Sequence, residues 1–138
     1  MSGRSLGLAA VCLMFVLGCS GVGDAITAVS GMDVQTGADA TLPDGFPFPA
    51  PSDGELVSVA TLPMGGKKMT TVSWTIQDVG AAEAQYKDWF KSAGVDVQTQ
   101  EQNVLGTKTL TMSSTDGAKV VTITDQGGQK SVTAIITE

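Results

Sequence analysis

Side chains able to do covalent or acid–base chemistry are sparse in this sequence, and the most versatile of them is missing, because it contains no histidine. Imidazole catalysis, histidine-ligated zinc or copper, and pH sensing by a ring nitrogen are excluded unless a partner supplies the ring. A serine or threonine nucleophile would then need lysine or a carboxylate as its base. Lys67 and Lys68 stand close before Ser73, but the Gly-Gly pair preceding them and the alternating run after them make both lysines solvated loop charges. The aspartates Asp44, Asp53, Asp116 and Asp125 could in principle pair for acid–base work or calcium. Each, however, sits beside glycine in a turn formula, where Asp has a local bonding reason to be, and no run approaches the alternating oxygen-ligand loop of a calcium hand. Both cysteines, Cys12 and Cys19, lie near the amino terminus, leaving none for a disulfide framework or thiolate site further on. No catalysis, metal or cofactor is expected.

Hydroxyls are the other resource. Thr71, Ser73, Thr75, Thr109, Thr111, Thr122, Thr124 and Thr133 fall on the outward positions of alternating segments, and would line a flat hydroxyl surface if the strand registers align. Such a surface could bind a glycan, or order water as ice-binding sheets do. Threonine is also simply a good residue for a wet strand face, and aromatic platforms for sugars are absent from these positions.

The elements that would position those hydroxyls follow from patterning. A chain of 138 residues, 42% apolar and 16% charged with 17 glycines, suits one small, turn-rich domain. Residues 55–62 form a plausible strand closed by Pro63-Met64-Gly65-Gly66, and residues 68–76 alternate, with Val72, Trp74 and Ile76 on one face. Asp78 offers an N-cap oxygen, and Ala82, Tyr86, Trp89, Phe90 and Ala93 recur at helical spacing. Glu83 and Lys87 form an i,i+4 pair, and Gly94 suits the left-handed stop. The aromatic stripe could be a ligand box, but against an open sheet face it is core. Residues 95–100, 108–113, 118–124 and 130–137 read as further strands joined by Ser114–Gly117 and Asp125–Gly128 turns. The expected fold is α+β, an antiparallel sheet with one helix packed on one face, in the order β-β-α-β-β-β-β.

Before this domain, residues 42–54 hold four of the five prolines around Phe46 and Phe48. Fixed φ angles make this a stiff strap. It is either a ligand for an aromatic groove or, the reading preferred here, a cover with both phenyl rings tucked into the domain's own core. Residues 19–41 are small and polar and read as a tether, with a short helix at 25–29 or a short strand at 32–35 as the alternative.

The amino terminus reads as an address. Arg4 is followed by an apolar run from Leu6 to Leu17 and then Gly18-Cys19-Ser20. Such a run is a secretory signal, too short for a transmembrane anchor, which needs about 20 apolar residues. Val16-Leu17-Gly18-Cys19 resembles the lipobox of bacterial lipoproteins, with Leu17 replacing the usual small residue. The resemblance implies cleavage between Gly18 and Cys19, removing the 1–18 signal peptide, and diacylglycerol and acyl chains on Cys19, which anchor stably where one chain would not. With no Asp after Cys19, outer membrane is the expected address in a diderm cell, with the domain in the periplasm or on the surface. The strap Leu42-Pro43-Asp44-Gly45-Phe46-Pro47 with Pro49 and Pro51, before a strand pair and a helix bearing Tyr86 and Trp89-Phe90, is similar to small bacterial lipoproteins of uncharacterised function with an LPxxFPxxxP-type strap. That resemblance implies no active site. The formal charge of −6 argues against nucleic acid as a partner. The expectation is a lipid-anchored, non-enzymatic envelope protein that interacts with another envelope component. The alternative is a glycan or small-ligand module using the threonine face or a pocket under the strap.

Overall fold

The structure, a computed structural model, describes residues 32–138. The expected signal peptide, with Gly18 and Cys19, and the start of the expected tether lie outside the described residues. Strands β1 (Asp33–Thr36), β2 (Glu55–Met64), β3 (Lys67–Thr75), β4 (Val97–Val104), β5 (Thr107–Ser114), β6 (Lys119–Gln126) and β7 (Gln129–Thr137) build one antiparallel sheet. A single helix, α1 (Val79–Ser92), lies between β3 and β4 in the chain. The spatial order is β1-β2-β3-β7-β6-β5-β4.

The expected α+β architecture with one helix holds, but the element order is corrected to β-β-β-α-β-β-β-β. The additional strand comes from the stretch expected to be tether. Asp33–Thr36 pairs with β2, and the Gln35 side-chain oxygen accepts from the Thr41 amide at 3.1 Å, closing residues 36–41 into a small loop. A four-residue strand with weak alternation carries little signal of its own; the already formed edge of β2 gives it a partner.

Alternation explains the core. Val72 and Trp74 on β3, Val132, Ala134 and Ile136 on β7, Val121 and Ile123 on β6, and Leu110 and Met112 on β5 all point to one face and are buried. Helix α1 covers them with Ala82, Tyr86 and Phe90. Asp78 caps it by accepting from the Ala81 amide at 3.1 Å, and Gly94 beyond its end takes φ +66, the left-handed value that glycine tolerates best. Of the apolar stripe, Trp89 is only half-buried and Ala93 is exposed, because the helix ends there.

The strap closes the remaining part of the core. Phe48 is 2% exposed and its ring lies 4.5 Å from Trp89, 5.7 Å from Phe90, 6.0 Å from Phe46 and 6.1 Å from Tyr86, centroid to centroid. The strap backbone is pinned by the helix: the Tyr86 hydroxyl donates to the Pro49 carbonyl at 2.8 Å, and the Gln85 side chain donates to the Ala50 carbonyl at 2.8 Å and accepts from the Ser52 amide at 3.1 Å. Proline has no N–H, so at Pro49 the strap offers only its carbonyl, to which Tyr86 donates, while Gln85 both donates to the Ala50 carbonyl and accepts from the Ser52 amide.

Candidate functional site

The face opposite the helix is where the structure gathers the predicted hydroxyls. Residues paired across an antiparallel ladder share a face, so the registers can be followed from strand to strand. One row reads Thr36, Ser58, Ser73, Thr133, Thr122, Thr111 and Gln100, crossing all seven strands. At the usual strand spacing it spans about 29 Å. A second row reads Glu55, Thr75, Ser131, Thr124, Thr109 and Gln102. Thr71 belongs to a third row, between Ala60 and Ile135, which continues through Val120 to Ser113 and Gln98. All eight expected hydroxyl residues therefore lie on one surface, most of them half-buried by their neighbours.

Sequence reasoning missed Thr36, Ser58, Ser131 and the glutamines Gln98, Gln100 and Gln102 as members of this surface. Ser58 could have been found from its alternation with Val59. Its alignment with Ser73, though, depends on a bulge between Leu56 and Ser58 that sets Val57 aside. Thr36 could not have been placed before its strand was known.

The chemistry of the first two rows is that of neutral hydroxyls and amides, Glu55 apart, whereas the third row adds Val34, Ala60, Ile135 and Val120 and the face beyond it turns apolar at Leu62, Met64 and Met69. The Ser73 and Thr133 hydroxyls lie 3.3 Å apart and share one hydrogen bond, leaving the remaining acceptor and donor sites facing outward. Apart from Glu55 at the end of the second row and Lys67 at the end of β3, ladder positions on this face carry no charge. A shallow groove of about 440 Å³ crosses its end, lined by Val57, Ser73, Thr75, Thr124, Ser131 and Thr133 among others. No base accompanies Ser73: Lys67 is six positions away along the strand, about 20 Å, and Lys130 donates to the Gln77 carbonyl at 2.9 Å.

The aspartates have structural partners. Asp53 accepts from the Gln77 and Asp78 amides at 2.9 and 2.8 Å, tying the end of the strap to the start of the helix. Those two N–H groups, Asp78 first, hold its carboxyl below the usual range. Asp116 accepts from the Ser114 hydroxyl at 2.5 Å and the Ala118 amide at 3.0 Å, and is lowered for the same reason, the Ser114 hydroxyl leading. Burial pushes the Tyr86 phenol up, so it remains a neutral donor to the strap. Among the described residues there is no cluster of three metal-ligating side chains and no helix long and apolar enough to cross a membrane. Beside the strap, the space between Pro43, Phe46, Thr70 and Ile136 amounts to about 30 Å³, the room of one water molecule, and a second hollow of about 200 Å³ lies between Gln35, Thr41, Pro43, Val59, Thr61 and Lys68.

No protein-family profile, no curated protein and no solved structure matches this chain.

Proposed function

We propose that this chain is a lipid-anchored, non-enzymatic module of the cell envelope, and that the hydroxyl face of its sheet is the surface it presents to another envelope component. The observation that carries the reading is the row from Thr36 to Gln100, in register across every strand and flanked by a second polar row. Two hydrogen-bonding rows with Glu55 as their one charge, on a chain of net charge −6, select against ionic partners. They favour neutral ones that can match a repeat of about 4.8 Å across strands and 7 Å along them. A glycan strand is the second reading, favoured by the hydroxyl-lined groove of about 440 Å³ and disfavoured by the lack of an aromatic platform there. The anchor reading rests on Val16-Leu17-Gly18-Cys19.

The test is site-specific photo-crosslinking of the full chain in its native membrane. A photoreactive phenylalanine derivative replaces Thr122 at the centre of the face or, as control, Asp88 on the exposed side of the helix. Adducts from position 122 and none from position 88 are expected, protease-sensitive for a protein partner and muramidase-sensitive for a glycan. Absence of adducts at 122, or equal yields at both positions, would contradict the proposal.

A further inference from the structure

We infer that β4 is an assembly edge on which a second copy of this chain adds its own β4, antiparallel, with Gln100 of each copy opposite Gln100 of the other. The two edges of the sheet are unlike. β1 is four residues long and runs straight into a 3-10 turn at Gly37–Asp39. β4 is eight residues long and exposed at every one of them, on both faces. Edge strands are normally blunted by proline, lysine or an unpaired inward charge. Val97-Gln98-Thr99-Gln100-Glu101-Gln102-Asn103-Val104 has neither proline nor lysine, and its one charge, Glu101, is paired with Lys108 at 3.2 Å.

Hydrogen-bonding phase restricts how a partner can add. The Leu105-Gly106 turn has φ +51 and +80 and closes on the Val104–Thr107 pair, the two-residue hairpin geometry in which the closing pair bonds both ways. Even-numbered residues therefore bond to β5, as the Thr115 amide does to the Asp96 carbonyl at 3.2 Å. The N–H and C=O groups of Val97, Thr99, Glu101 and Asn103 face outward, and an antiparallel copy must set these opposite one another.

Every twofold centred on a residue of β4 satisfies that phase, and those nearest its middle, centred on Gln100 and Glu101, overlap the most of the strand, with Thr99 next. Centring on Glu101 would oppose the two glutamates. Centring on Thr99 would spend a pair on Val95, which lies outside the strand and bonds to the Phe90 carbonyl at 3.1 Å. Centring on Gln100 sets Thr99 against Glu101, Val97 against Asn103 and Gln98 against Gln102, about eight backbone hydrogen bonds with no like charges opposed. It also gives Leu105, fully exposed and in the left-handed region, a neighbour at the level of Val95 of the second copy. The hydroxyl row then runs through the twofold as Thr111–Gln100–Gln100–Thr111. The inference does not depend on what the hydroxyl face binds.

The experiment compares Gln100→Cys with Gln102→Cys, each in the full chain carrying Cys12→Ser and Cys19→Ser so that no native thiol reacts, under mild oxidation and alongside sedimentation over a concentration series. In the proposed register, Gln100 forms a non-hydrogen-bonded pair with itself, the spacing a disulfide spans, whereas Gln102 faces Gln98. A covalent dimer from Gln100→Cys but not from Gln102→Cys is expected. Thr99→Pro, which removes an outward N–H and no bond to β5, should halve the sedimenting mass at high concentration while keeping the circular dichroism of the parent. Equal cross-linking of both cysteine variants, cross-linking of neither, or a parent that sediments as a monomer throughout would overturn the inference.

Discussion

Asp53 shows how one exposed side chain organises its surroundings. Its carboxylate accepts from two consecutive amides, Gln77 and Asp78, and these hold its ionisation below the ordinary range. A lowered carboxyl stabilises the fold at pH values above its unfolded value of 3.8. That contribution fades as pH falls through the folded value, where the native carboxylate takes up its proton. Asp53→Asn should lower the melting temperature by a few degrees at neutral pH, with the deficit vanishing under strongly acidic conditions. Thermal melts across the acid range check this, and a pH-independent deficit would contradict it. Asp53 was legible in the sequence as a turn residue but not as a link to the helix, because its partners lie 24 and 25 positions away. Asp78 was legible as a cap because its partner is three positions away.

At the scale of elements, strong periodicity made β3, β5, β6, β7 and α1 readable, and proline chemistry made the strap readable. Each signal is local. β4 was expected at 95–100 and lies at Val97–Val104: a strand exposed on both faces has no apolar alternation to mark its bounds. β1 was legible only as the alternative to a tether, a short strand at 32–35, because its order comes from pairing to β2. The strap's role as a cover is open to measurement. Phe48 sits among Phe46, Tyr86, Trp89 and Phe90, so Phe48→Ala removes a ring from a packed site and should destabilise by about 3–4 kcal/mol. Urea denaturation measures it, and a change too small to resolve would mean that the strap is not part of the core.

Considered as a whole molecule, the chain places β7, its last strand, between β3 and β6. This insertion joins the β2–β3 hairpin to the β4–β6 meander and makes the hydroxyl row continuous. Outward positions were legible one strand at a time, but the row itself depends on strand order, on the Leu56/Ser58 bulge and on β1, none of which leaves a local trace. On the reading proposed above, the mature chain begins at Cys19 and is held at a membrane, where this face meets an envelope partner. Intact-mass analysis of the native protein extracted from membranes tests that most directly. The account predicts a polypeptide lacking residues 1–18 and heavier than its sequence by a diacylglycerol and an acyl chain; an unacylated chain still carrying its leader would contradict it.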